Sequence, residues 1–260
     1  MDKSELLKYN GQAWDTQVAK GNRWTVPVSP KEIERARNGD FQIVLTPTKP
    51  VPMDWFPDFA NSDCKLLCLA GAGGQQGPIL AAAGADVTVF DYSEGQLAQD
   101  RMVAEANELQ LKTVQGDMAD LSCFPDQSFD LIFHPCSNTF VPNILTVWRE
   151  AFRVLKTGGA MLSGFTNPAR YMFDDPMLEQ GQMQVTHKIP YSDLSSISKT
   201  QLQKYIDNNE PLCFGHTLED QIQGQIAAGF RITGFFEDVY EKDDVLSEYI
   251  ATFMATRSVK

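Results

Sequence analysis

A chain of 260 residues is long enough to bury a sizeable core, and its 34 acidic against 22 basic side chains give a net charge of −12. Such a chain repels phosphate backbones, and no local cluster of lysines and arginines offsets this, so no nucleic-acid partner is expected. The five cysteines follow no zinc spacing, the three histidines are dispersed, and neither a signal peptide nor a bilayer-length apolar run is evident. The expected protein is therefore cytoplasmic, without a metal site and without a membrane partner.

Residues 1–60 hold three of the four tryptophans, Trp14, Trp24 and Trp55. A helix is predicted over Lys3 to Lys20, with an interruption allowed at Asn10-Gly11. A second begins at Ser29-Pro-Lys-Glu32, a capping box with proline in the first turn, and Gly39 stops it. Phe41 to Leu45 reads as a short extended segment, followed by a proline-rich stretch to Pro52. Two readings stand side by side: a cap packed over a site, or an ordinary satellite core.

The centre of the chain is Lys65-Leu-Leu-Cys-Leu-Ala-Gly-Ala-Gly-Gly-Gln-Gln76. A buried strand breaks into glycines and then into a helix predicted from Gln75 to Ala83. That geometry lets the backbone approach a ligand and offers unpaired helix N–H groups to an anionic group. Val87 to Asp91 reads as a second strand whose terminal carboxylate is placed to accept ribose hydroxyls. The pair points to a nucleoside-containing cofactor. Gln76 stands where the dinucleotide fingerprint has its third glycine, although Gly77 is adjacent. This tilts the loop towards S-adenosylmethionine (SAM) rather than a dinucleotide.

A parallel sheet covered on both faces follows from the strand–helix rhythm beyond. Ser93-Glu-Gly-Gln96 reads as a capping box opening a helix to Leu109. Lys112 to Val114 and Phe129 to Phe133 are the third and fourth strands. An amphipathic helix carrying Ile144, Trp148, Ala151, Phe152 and Leu155 ends at Lys156-Thr-Gly-Gly159, and Ala160 to Phe165 is the fifth strand. From Thr166 to His216 the rhythm breaks into a polar segment with one helix near Ser198 to Asp207, the pattern of a lid or substrate-binding insertion. A helix from Thr217 to Ala228 and strands at Arg231 to Phe236 and Tyr249 to Thr256 close the chain, the last two as an antiparallel edge pair. The acidic residues between them (Glu237, Asp238, Glu241, Asp243 and Asp244) read as a solvated loop.

With these elements in order, residues 61–260 resemble the class I SAM-dependent methyltransferases. The resemblance rests on the loop at 70–74, Asp91, Gly116-Asp117, Phe129-Asp-Leu-Ile-Phe133 and Val154-Leu-Lys-Thr-Gly-Gly159. The N-terminal Tyr9-Asn-Gly-Gln-Ala-Trp-Asp15 and Trp24-Thr-Val-Pro-Val28 extend it towards a bacterial group with mostly unassigned substrates. It implies a Rossmann-like α/β fold: a seven-stranded sheet in the order 3-2-1-4-5-7-6 with strand 7 antiparallel and helices on both faces. Around that core stand an N-terminal cap (1–60) and a lid (166–216), all within a single globular unit.

The resemblance also implies roles. Ala70, Gly71, Ala72, Gly73 and Gly74 would line the methionine end of SAM, Asp91 would hold the ribose, and Tyr92 would flank the adenine. Gly116, Asp117 and the Met118 amide would read the adenine edge, and the backbone near His134 would border the methyl. Alanine at 70 and 72, where many members have glycine, is compatible with the turn if φ stays negative. His134, which titrates near neutral pH, and Asn138 are the candidates for catalysis. Tyr9 and Trp14 could close over the sulfonium, and Tyr171, Tyr191 and His187 could reach the acceptor. The expected activity is methyl transfer from SAM to an O, N, C or S nucleophile of a small molecule, with S-adenosylhomocysteine as product, by a monomer or homodimer. An NAD-dependent oxidoreductase and a non-catalytic SAM-binding protein are the alternatives.

Overall fold

The computed structural model describes residues 1–240 and 244–260. Two helices, α1 (Lys3–Lys20) and α2 (Pro30–Arg37), precede the sheet. Strands β1 (Lys65–Leu69), β2 (Asp86–Asp91), β3 (Leu111–Gln115), β4 (Phe129–His134) and β5 (Leu155–Thr166) then run parallel, with α3 (Gln76–Ala82), α4 (Glu94–Ala106) and α5 (Ile144–Val154) between them. After β5 come α6 (Asp175–Glu179), the two-residue strand β6 (Tyr191–Ser192), α7 (Asp193–Ser196), α8 (Lys199–Asp207) and β7 (Phe214–Gly215), which pairs with β6. The chain ends with α9 (Gly224–Ala228), β8 (Arg231–Asp238) and β9 (Phe253–Val259).

Among the described residues, seven strands form one sheet in the order β3-β2-β1-β4-β5-β9-β8, with β9 antiparallel to both neighbours. This is the expected topology, β8 and β9 being its sixth and seventh members. Alternation along β1 divides the core: Leu66 and Cys68 join one apolar cluster with Ile33 of α2 and Ile79 and Leu80 of α3, while Leu67 and Leu69 join the other with Trp148 and Ala151 of α5. All the parallel strands therefore present their carboxyl ends, and the loops that follow, along one edge.

Several boundaries differ from the sequence reading for identifiable reasons. α1 runs unbroken through Asn10 and Gly11, because both are buried and each serves a contact outside the helix. β5 begins directly after α5, so Lys156-Thr-Gly-Gly159 lies inside the strand. Phe129 pairs with Leu155 and Leu131 with Ala160, and the bulge absorbs the extra residues. There Gly158 takes φ +82°, and a Cβ on Gly159 would stand 2.9 Å from the Asp130 carbonyl.

Among the described residues of the closing acidic stretch, Asp238 and Asp244 are not solvated as the sequence reading expects. Asp238 is buried and accepts the N–H groups of Thr48 and Lys49 (both 2.9 Å), fixing the proline-rich segment, and Asp244 pairs with Arg170 at 2.8 Å. Glu237 lies on β8, while Glu241 and Asp243 lie outside the described residues.

The N-terminal 60 residues divide between their two readings. Phe41, Trp55 and Phe59 are buried in the core on the α2–α3 face of the sheet. By contrast α1, with Trp24 beyond it, lies along the carboxyl edge.

Candidate active site

The turn after β1 is built differently from the sequence expectation. Ala70 adopts φ +51°, in the left-handed region, while its N–H donates to the Phe90 carbonyl (2.8 Å). The negative φ expected for this alanine is not found, and the site carries backbone strain that glycine would not have. The loop amides are not left open either. Ala72 N–H donates to Gln76 Oε1 (3.0 Å), Gly73 N–H to Gln96 Oε1 (2.8 Å) and Gly74 N–H to Asp100 Oδ1 (2.9 Å).

Gln96 therefore has a different task from the capping box read in the sequence. Ser93 Oγ accepts the Gln96 N–H (3.1 Å), but the Gln96 side chain reaches back to the glycine loop. Gly73 is required by the same approach, since a Cβ there would stand 2.3 Å from the Gln96 carbonyl oxygen. A pyrophosphate needs a row of free amides at this helix start. Side chains of the protein take those positions here, which disfavours a dinucleotide.

At the end of β2, Asp91 Oδ1 accepts the Ser93 N–H (2.7 Å). Burial pushes the Asp91 carboxyl up to about 7; the Ser93 and Tyr92 amides pull it down and Asp15 pushes it up. Behind the loop, burial likewise raises Asp100 to about 8, partly countered by the Gly74 N–H. At the end of β3, Gly116 donates to the Asp91 carbonyl (3.0 Å), and Asp117 accepts the Ala119 N–H on Oδ1 (2.9 Å). Its other oxygen pairs with Lys3 of α1 at 3.3 Å.

These groups open onto one cavity of about 390 Å³. At one end it is lined by Ala70, Gly71, Ala72, Asp91, Tyr92, Gly116, Asp117 and Met118, beneath Lys3, Gly11 and Trp14 of α1. It continues past Pro135 and Cys136 to Thr139, Thr166, Arg170, Cys213, Tyr240 and Phe253. Arg170 is held by Asp244 (2.8 Å) and Asp175 (3.5 Å), so its charge is already compensated. Burial holds the Cys136 and Cys213 thiols in the neutral form.

Eight of the sequence candidates lie off the cavity wall. Gly73 and Gly74 sit behind it, occupied as described. His134 is fully buried, its Nδ1 2.8 Å from the Leu69 carbonyl and its ring edge-on to Trp148 at 6.0 Å; burial depresses it to about 4. It ties β4 to β1 and is not placed to take a proton from a substrate. Asn138 is also buried, donating to Gln221 Oε1 (2.9 Å) and accepting His216 Nε2 on its carbonyl (3.0 Å).

Tyr9 packs with Leu212 and Phe214 and donates to the Glu210 carbonyl (2.9 Å). Tyr171 bonds to Thr139 Oγ1 and stacks on Tyr191 (5.3 Å), whose hydroxyl donates to Asp193 (2.6 Å). His187 leans on Tyr191 at 5.2 Å. This cluster buttresses the far wall without forming it. Lys3, Asp15, Gln96, Thr139, Arg170 and Tyr240 went unrecognised in the sequence. Apart from Asp175 beside Arg170, the partners named for them are remote in the chain, and no local spacing announces them.

A mostly parallel sheet in this order, with carboxylates after its second and third strands facing one cavity, defines the Rossmann-like methyltransferase class. Residues 67–163 match the family model described as a methyltransferase domain. Over 98% of both chains the protein is 55% identical to a relative from Bacillus subtilis (strain 168) named uncharacterized methyltransferase YbaJ. Two solved structures share the fold. One is an S-adenosylmethionine-dependent methyltransferase from Mesorhizobium loti (TM-score 0.58, 16% identity, 80% of this chain and 94% of that one). The other is a SAM-dependent methyltransferase from Methanosarcina mazei (TM-score 0.58, 16% identity, 82% and 98%). The chain belongs to the class I SAM-dependent methyltransferases, and it is an enzyme of that class with SAM as cofactor. No helix among the described residues is long and apolar enough to cross a membrane.

Proposed function

We propose that the cavity holds SAM at its Asp91–Asp117 end and a small-molecule acceptor at its Arg170–Tyr240 end. Asp91 takes the ribose hydroxyls, Tyr92 flanks the adenine, and Asp117 with the Met118 amide takes the adenine edge. Ala70, Gly71 and Ala72 border the methionine portion. Bound there, SAM supplies an electrophilic methyl on a sulfonium leaving group. The residues of the chain bind, align and exclude water, which is most of what such a transfer asks of a protein.

The observation that carries the reading is the continuity of the cavity. Both carboxylates and the aromatic far wall line the same space, roofed by α1. Among the described residues lining it there is no histidine, and its two carboxylates both stand at the adenosine end. The enclosed volume and the charge of −12 favour a small molecule over a polynucleotide, in a cytoplasmic setting.

Two experiments test this. Calorimetry is expected to show S-adenosylhomocysteine binding and NADH not binding; the reverse order of affinity would return the chain to the oxidoreductase alternative. With methyl-labelled SAM, label is expected in the low-molecular-weight fraction of a bacterial extract. Label confined to protein or RNA would overturn the small-molecule acceptor.

A further inference from the structure

α1 touches the proposed cofactor site at three points: Lys3 on Asp117, Gly11 against Tyr92, and Asp15 at the turn that carries Asp91. The third contact is the most developed. Asp15 Oδ1 accepts the Ser93 hydroxyl (2.6 Å) and the Gly95 N–H (2.8 Å), so a side chain from another helix caps the start of α4. Ser93 in turn donates its own N–H to Asp91 Oδ1 at 2.7 Å. The connection Asp15–Ser93–Asp91 spans 78 residues of sequence and fixes the direction of one carboxylate through the placement of another. A Cβ on Gly95 would stand 3.0 Å from Asp15 Oδ1, so the contact is close on both sides.

We propose that Asp15 is a positioning residue for cofactor binding: through Ser93 it orients the Asp91 carboxylate and sets the charge that carboxylate feels. The proposal rests on the reading that Asp91 holds the ribose. Asp15 itself has no need to touch the cofactor. Instead, docking of the N-terminal helix becomes part of the cofactor site, and a chain with α1 undocked would bind SAM poorly.

A negative charge nearby opposes ionisation of the Asp91 carboxyl. The charged groups facing Asp91 are Asp15 from α1 and Asp100 from α4, with Arg101 behind Asp100, while Lys3 and Asp117 stand across the cavity. An ionised Asp91 accepts ribose hydroxyls best, so affinity is expected to fall as pH drops through the Asp91 titration. Removing the Asp15 charge while keeping an acceptor oxygen moves that fall to lower pH. Removing the oxygen as well releases Ser93 and Gly95, and Asp91 loses its orientation at every pH.

The test is calorimetric titration of the full chain with S-adenosylhomocysteine from pH 5.5 to 8.5, for wild type, Asp15→Asn and Asp15→Ala. Asp15→Asn is expected to bind within about twofold of wild type at pH 8.5 and to shift the midpoint of the pH dependence downward. Asp15→Ala is expected to bind on the order of tenfold more weakly at pH 8.5. Asp100 is common to all three proteins, so its titration does not produce a difference between them. A purely structural Asp15 would leave the Asp15→Asn midpoint in place, and that result would overturn the proposal even if Asp15→Ala failed to fold. Absence of binding by the wild type would instead overturn the assignment of the cavity.

Discussion

A methyl group built on Gly11 would stand 2.5 Å from Cδ1 of the Tyr92 ring. Glycine in the middle of a helix costs about 0.5–1 kcal/mol relative to alanine. The chain accepts that cost in α1, and the close approach to Tyr92 is the structural reason. Gly11→Ala is expected to weaken S-adenosylhomocysteine binding about tenfold and to lower stability by about 1–3 kcal/mol through overpacking. Calorimetry and denaturant unfolding check both. A variant that is more stable and binds equally well would mean that helix propensity, rather than the Tyr92 contact, governs this position.

Ala70 offers the opposite experiment. Its φ of +51° is a conformation that costs an alanine about 1 kcal/mol more than a glycine. Ala70→Gly is expected to stabilise the protein by about 0.5 kcal/mol, the relief of strain being partly offset by the larger entropy of the unfolded glycine. Ala70→Val is expected to destabilise it. Shifts of the urea midpoint at constant slope would register both. A loss of stability on Ala70→Gly would show that the turn is not strained.

The sequence offers His134 as a candidate for catalysis, and its placement gives it a different, measurable signature. Its folded-state value lies near 4, below the ordinary 6.5, so between these values the unfolded chain binds a proton that the folded chain does not. Stability from this residue is complete above about pH 6.5 and is lost as pH falls towards 4, amounting to at most about 3 kcal/mol. His134→Gln lacks that loss. The raised Asp91 and Asp100 titrate with the opposite sign, but they are common to both proteins and drop out of the difference. Equal pH slopes for wild type and variant between 6.5 and 4 would contradict the buried, neutral imidazole.

What could be read from the sequence and what could not follow one division. The strand order follows from the family resemblance, whereas the strand–helix rhythm, the helix cap at Ser29 and the carboxylates after the second and third strands all depend on neighbours in the chain. Hydrophobic period and turn chemistry carry that information. The roof and far wall depend on contacts between remote residues: Lys3 with Asp117, Asp15 with Ser93, Arg170 with Asp244. Residue type also misled where burial decided the role. His134 and Asn138 look reactive in sequence, yet both serve the core as hydrogen-bonded struts. Gln96 fits a capping box, yet the glycine loop competes for its side chain and wins.

The most direct measurement is a crystal structure of the protein grown with S-adenosylhomocysteine. On this account the ribose hydroxyls lie within hydrogen-bond distance of Asp91, the adenine lies beside Asp117 and Met118, and the amino-acid tail lies along Ala70 to Ala72. The compound bound elsewhere, or Asp91 in place with no hydroxyl upon it, would contradict the account.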